Sequence, residues 1–210
     1  MPNNVNAILL KAKELVPVVV IDDAKDAVPL SQAITKAGGK FIEITLRTAA
    51  AVDAIKNIKQ QNPDIIVGAG TVLSVADAQK AIDAGADFLV SPGFDKEVVL
   101  YAQKQNKLMI PGTITPSEVQ QAMGLGLNLL KFFPAQNAGG AAMIKAFGSV
   151  YPHVMFMPTG GINLQNIGEY IACANIGCIG GSWVCTKEDI AQGKFADITQ
   201  KLAEANRLFN

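Results

Sequence analysis

Residues 40–47 read KFIEITLR. In a strand, successive side chains alternate between faces, so Ile42, Ile44 and Leu46 share one face and Glu43, Thr45 and Arg47 the other. The apolar row has to be covered, and helices are its natural cover, so the polar row looks inward. A second stretch carries the same contradiction. Residues 129–135 read LLKFFPA, where Leu130 and Phe132 form the helix-facing row while Lys131 points inward with Leu129 and Phe133.

Around these two lie similar apolar runs: VPVVVI (16–21), DIIVGAGT (64–71), DFLVSPG (87–93), LMIPGT (108–113), VMFMPTGG (154–161) and CIGGSWV (178–184). With the first two they make eight, spaced roughly 20 to 25 residues apart, the spacing of one strand plus one crossover helix. Helix starts stand between them: Ser74 with Asp77 three residues on, and Thr115 before Pro116 with Glu118. Gly38, Gly85 and Gly124 fall where helices should end. Eight βα units without a linker predict one domain over residues 1–210, a (β/α)8 TIM barrel of α/β class. A doubly wound open sheet is the alternative. An additional N-terminal helix over about residues 4–14 would close the bottom of the barrel.

The 210 residues are half hydrophobic, and 18 basic residues balance 18 acidic ones. Such a balance draws the chain neither to nucleic acid nor to an anionic membrane, which points to a small-molecule partner. No secretion signal and no membrane span of about 18 apolar residues is legible, so a cytoplasmic protein is expected. Cys173, Cys178 and Cys185 lie in apolar context without CxxC spacing and read as buried, reduced thiols. His153 is the only histidine and precedes the seventh strand, so neither a metal cluster nor a Ser/His or Cys/His pair is expected at the mouth. No GxGxxG follows the first strand, which argues against a dinucleotide.

Barrels build their sites at the C-terminal ends of the strands. Arg47, at such a rim, could take a carboxylate in two parallel hydrogen bonds, leaving Glu43 free for proton transfer. The two could instead simply pair with one another. Lys131, set among apolar strands, could act as a neutral amine, a nucleophile toward a ketone. A lysine head reaching solvent, neutralising a carboxylate or binding phosphate is the alternative. Glycine pairs end the last two strands, Gly160–Gly161 and Gly180–Gly181, where barrels usually hold a phosphate, and Ser182 adds a hydroxyl.

EITLRT (43–48), GAGT (68–71), SPG (91–93), IPGTITPSE (110–118), KFFPA (131–135), PTGGI (158–162) and GGSW (180–183) together resemble the signatures of the bacterial KDPG/KHG aldolases. The resemblance runs in order from about the first strand to the last. It implies a class I, metal-independent aldolase without a cofactor. Such an enzyme cleaves 2-keto-3-deoxy-6-phosphogluconate to pyruvate and glyceraldehyde 3-phosphate in the Entner–Doudoroff route, with 4-hydroxy-2-oxoglutarate as a further substrate. It implies Lys131 as the Schiff-base lysine, Glu43 as acid/base and Arg47 as carboxylate ligand. Thr71, Pro92, Phe133 and Thr159 fall among the substrate-binding positions, and Gly160, Gly161, Gly180, Gly181 and Ser182 at the phosphate. Relatives acting on 2-keto-3-deoxy-6-phosphogalactonate share most of these motifs, and a non-catalytic phosphosugar-binding barrel is the competing class. Family members form homotrimers. One departure is Gln136, where many relatives carry glutamate, a change that bears on substrate preference more than on Schiff-base chemistry.

Overall fold

The computed structural model describes Val5, Asn6, Leu9, Ala12 and residues 14–209. Its strands are β1 (Leu15–Val19), β2 (Phe41–Thr45), β3 (Ile66–Gly70), β4 (Phe88–Val90), β5 (Leu108–Ile110), β6 (Gly112–Thr113), β7 (Leu129–Phe132), β8 (Met155–Pro158) and β9 (Ile179–Gly181). Every pairing is parallel. One sheet runs β5-β4-β3-β2-β1-β9 and the other β6-β7-β8. Isolated parallel bridges at Thr159–Gly180 and Phe156–Ile176 join the ends of β8 and β9.

Helices α1 (Ala27–Lys36), α2 (Ala51–Gln61), α3 (Val75–Asp83), α4 (Lys96–Lys104), α5 (Pro116–Gly124), α6 (Gly140–Val150), α7 (Ile167–Ile171), α8 (Lys187–Ala191) and α9 (Phe195–Arg207) follow the strands. The expected starts are real caps: Ser74 Oγ accepts from Asp77 N at 3.1 Å, and Thr115 and Glu118 close a reciprocal capping box. Gly38 and Gly85 take the left-handed conformation past their helices, with φ of 81° and 96°. Gly124 does not: it is the last residue of α5, and Gly126, with φ of 77°, takes that role.

The run LMIPGT forms two strands, not one. Proline has no N–H to give the ladder, so pairing stops at Pro111 and resumes in the other sheet. The helix expected over residues 4–14 falls mostly outside the described residues. Of its positions, Leu9 is fully buried.

Alternation divides the core into two clusters. The outer one sets strand residues such as Ile42, Ile44, Leu130, Phe132 and Phe156 against the helices. Within it Phe132, Phe147 and Phe156 stack and T-pack at 5.7–6.3 Å between centroids, fastening β7 and β8 to α6. The inner cluster collects Val16, Phe41, Phe88, Val90, Ile110, Leu129, Met157 and Cys178, one or two from almost every strand. It forms a dry floor beneath whatever stands nearer the strand ends.

The three cysteines are free and buried. Burial raises all three thiols, Cys185 up to about 12 and Cys178 strongly, the nearby Glu14 and Glu43 side chains adding to the effect at Cys178. A raised thiol pKa means no thiolate at pH 8. A thiol reagent at pH 8 should therefore label no cysteine in the native protein and all three in denaturant. Rapid labelling of the folded chain would contradict this packing.

Candidate active site

Glu43 and Lys131 come from β2 and β7, 88 residues apart, and meet inside. Lys131 Nζ lies 3.4 Å from Glu43 Oε1, with Lys131 5% exposed and Glu43 not exposed at all. The lysine head is not solvated and Glu43 pairs with Lys131, not Arg47; the contact is itself the lysine–carboxylate pairing that stood among the alternatives. The face of the Phe133 ring closes one side, its centroid 5.3 Å from Nζ.

The pair is incompletely satisfied. Glu43 Oε2 and Thr159 Oγ1 are buried and have no hydrogen-bond partner. A purely structural buried ion pair needs its remaining lone pairs bonded, because an unsatisfied polar atom costs roughly 1–3 kcal/mol. These free acceptors are what a site awaiting a polar substrate should look like. Two glycines make the room. A Cβ on Gly70 would collide with Glu43 Oε1, and one on Gly180 with Thr159 Oγ1. Gly70 is a functional position that sequence reasoning missed, although the small residues of GAGT were its visible signal.

At the rim, Arg47 lies two residues beyond β2 and is exposed. Its Nε donates to Thr45 Oγ1 at 3.2 Å, and that hydroxyl donates to Val19 O at 2.8 Å. The guanidinium is thus steered through one nitrogen, and among the described residues its two terminal nitrogens have no partner. Thr71 follows Gly70 with φ of 59°, an uncommon conformation for a β-branched residue. Pro92 presses its carbonyl against Gly112, which is in register with Lys131.

Gly160 and Gly161 both take positive φ, 100° and 75°. The carbonyls here are all engaged: Ala135 N donates to Thr159 O at 2.8 Å, Gln136 N to Gly160 O at 3.0 Å and Asn166 Nδ2 to Gly161 O at 2.9 Å. Among the described residues, the N–H of Gly161 finds no acceptor, while that of Gly160 faces Gly180 O across the bridge from Thr159 to Gly180. Ser182 is exposed beside them at the end of β9. Gly181 differs from the expectation of a pure anion cradle. Its missing side chain is demanded by Trp183 and Leu15 Cδ1, which occupy that space. Gln136 is held by Tyr170 and Asn166, partners that no sequence spacing announced.

An enclosed lysine beside a half-satisfied carboxylate, with a guanidinium at one end and an unpaired backbone N–H at the other, is an arrangement suited to imine chemistry on an anionic carbonyl compound. The model of the KDPG and KHG aldolase family matches residues 5–201. The 2-dehydro-3-deoxy-phosphogluconate aldolase of Treponema pallidum (strain Nichols) is 42% identical over 190 residues, 90% of each chain. The KHG/KDPG aldolase of Escherichia coli (strain K12) is 39% identical over 94% of this chain and 92% of its own. The crystal structure of KDPG aldolase from Legionella pneumophila, with pyruvate captured as a covalent carbinolamine, superposes with a TM-score of 0.91 at 39% identity, covering 94% of this chain and 96% of that one. The chain belongs to the KDPG and KHG aldolase family. It is an aldehyde-lyase of the class I, metal-independent kind.

Gly70→Ala should displace the Glu43 carboxylate without touching the lysine. We expect turnover to fall at least 10-fold, roughly the lower part of the acid–base range, while circular dichroism stays that of the parent. Full activity in Gly70→Ala would mean that Glu43 need not lie where it does.

Proposed function

We propose that Lys131 is the Schiff-base nucleophile and Glu43 the acid/base of an enzyme cleaving 2-keto-3-deoxy-6-phosphogluconate to pyruvate and glyceraldehyde 3-phosphate, with 4-hydroxy-2-oxoglutarate as a second substrate. The observation that carries this reading is the buried 3.4 Å contact of Lys131 with Glu43, whose second oxygen is free. The two parallel sheets are read as arcs of one (β/α)8 barrel, supported by the bridge from Thr159 to Gly180. The buried Leu9 supports a helix closing its bottom.

Lys131 passes a proton to Glu43 across their contact, and the amine so formed adds to the C2 ketone, its N–H proton moving to the carbonyl oxygen to give a carbinolamine. Glu43 then delivers its proton to the departing hydroxyl, water leaves, and a protonated imine remains. Glu43, now a carboxylate, takes the proton of the C4 hydroxyl. The C3–C4 bond breaks, its electrons move into the iminium to give an enamine, and C4 leaves as the aldehyde of glyceraldehyde 3-phosphate. Protonation of the enamine carbon and hydrolysis of the imine release pyruvate and restore the amine. The iminium is the electron sink throughout.

Arg47, with its free terminal nitrogens, and Thr71 hold the carboxylate. Phe133 and Pro92 wall the pyruvate portion, and Thr159 Oγ1 meets the hydroxyls beside the scissile bond. The phosphate takes the free N–H of Gly161 beside Gly160, with the strand end at Gly180 and Gly181 and the Ser182 hydroxyl alongside. Fixing both ends sets the C3–C4 bond between Lys131 and Glu43.

We read the enzyme as a cytoplasmic homotrimer. No helix among the described residues is long and apolar enough to cross a membrane. The exposed apolar side chains of Leu73, Leu100 and Ile114 support association between copies.

Exchange of pyruvate methyl protons for deuterium tests the assignment, because it needs an imine and a base but no aldehyde. The parent should exchange readily. In Glu43→Gln both exchange and aldol cleavage should fall on the order of 100-fold or more. Unchanged exchange in Glu43→Gln, with a lowered thermal midpoint, would make the carboxylate a structural partner only. Arg47→Ala should differ in kind, raising KM for the sugar acid and for pyruvate more than it lowers kcat.

A further inference from the structure

Behind the Gly160–Gly161 loop stands a polar chain that the reaction above does not use. Gln136 lies just past the catalytic strand, and its side chain is engaged through one atom. Gln136 Oε1 accepts from the Tyr170 hydroxyl at 2.8 Å and from Asn166 Nδ2 at 3.3 Å. Asn166 Nδ2 also donates to Gly161 O at 2.9 Å, while Asn166 Oδ1 accepts from Asn163 N at 2.9 Å.

Tyr170 is fully buried on α7, so its hydroxyl is a fixed point. Burial, with the nearby Glu169 carboxylate, raises its pKa and keeps it a donor. That direction of donation sets the amide: oxygen toward Tyr170 and Asn166, nitrogen away. Among the described residues nothing accepts from Gln136 Nε2.

The loop also rests on the stem of this side chain. A Cβ on Gly161 would stand 2.6 Å from Gln136 Cβ, so the backbone packs against it directly. A glycine pair at positive φ has little side-chain packing of its own to hold it. The carbonyls are tied to Gln136 N and Asn166, and Asn166 is tied through Gln136 to the buried hydroxyl.

We propose that Gln136 is a positioning residue for the anion-binding loop. Its amide oxygen links Tyr170 to Asn166 and so aims the N–H of Gly161, beside Gly160, at the substrate's phosphate. This rests on the phosphate reading given above. It also says which chemistry position 136 must supply: an acceptor for two donors. A carboxylate satisfies that requirement and a thioether does not. Substrate preference is then insensitive to the exchange of amide for carboxylate here.

The test compares the parent with Gln136→Met, Gln136→Glu and Tyr170→Phe. Each is assayed on 2-keto-3-deoxy-6-phosphogluconate, on the same acid without its phosphate, and for pyruvate methyl exchange. Losing one or two neutral hydrogen bonds should raise KM for the phosphorylated substrate roughly 3- to 10-fold in Gln136→Met and Tyr170→Phe. Turnover of the unphosphorylated acid and methyl exchange should stay at parental rates. Gln136→Glu should return KM to within about 3-fold of the parent, since charge-assisted bonds to the same donors replace neutral ones.

Equal KM in Gln136→Met and the parent overturns the proposal. So does a Gln136→Glu variant as impaired as Gln136→Met, or a loss shared by both substrates and accompanied by a lower thermal midpoint. Failure of the phosphate reading itself is seen separately in the parent, as absence of any preference for the phosphorylated acid, and would overturn this proposal with it.

Discussion

The contact between Lys131 Nζ and Glu43 Oε1 is the constraint around which the rest is arranged. Bringing an amine and a carboxylate together out of water is costly unless each finds compensation. Here compensation is deliberately partial. One carboxylate oxygen faces the lysine, the other has no partner, and the ring of Phe133 shields the amine. Everything nearby preserves that state: Gly70 cedes its side-chain volume to the carboxylate, and the inner apolar cluster keeps water from below. The aromatic packing of Phe132, Phe147 and Phe156 behind β7 holds the strand that carries the lysine.

From that pair the two ends of the site follow by distance and chemistry. On the proposed reading, an imine on Lys131 directs the keto acid's carboxylate toward the rim of β2, where Arg47 is anchored through Thr45 and has terminal nitrogens to offer. The same reading extends the rest of the substrate toward the ends of β8 and β9, where the carbonyls of Thr159, Gly160 and Gly161 are all engaged and the Gly161 N–H is left to a ligand. A phosphate site proposed there would rest on backbone held by side chains, which makes the supporting hydrogen bonds as important as the donors.

Much of this was legible in the sequence, for a definite reason. A period of two decides which way each strand residue points, so the inward placement of Glu43 and Lys131 followed from KFIEITLR and LLKFFPA alone. What alternation cannot give is which inward residues meet. Arg47 is the near neighbour of Glu43 in sequence, and Lys131 is its neighbour in space. That depends on how the strands are arranged around the interior. The break at Pro111 within LMIPGT and the left-handed turn at Gly126 in place of Gly124 are local matters of where a ladder or a helix stops, which periodicity places only to within a residue or two. The seating of Trp183 and Leu15 over Gly181 depends on which way an indole two residues on folds back. The bonds from Tyr170 and Asn166 to Gln136 cross 34 and 30 residues and carry no local signal.

The central claim is that one buried lysine forms the covalent intermediate. Reduction with borohydride in the presence of pyruvate, followed by peptide mass mapping, tests it most directly, because reduction fixes an imine as a stable secondary amine on the residue that formed it. The account requires the added mass on the peptide carrying Lys131, and no adduct after Lys131→Met. An adduct on Lys145 or Lys107, or pyruvate turnover that borohydride leaves untouched, would contradict it.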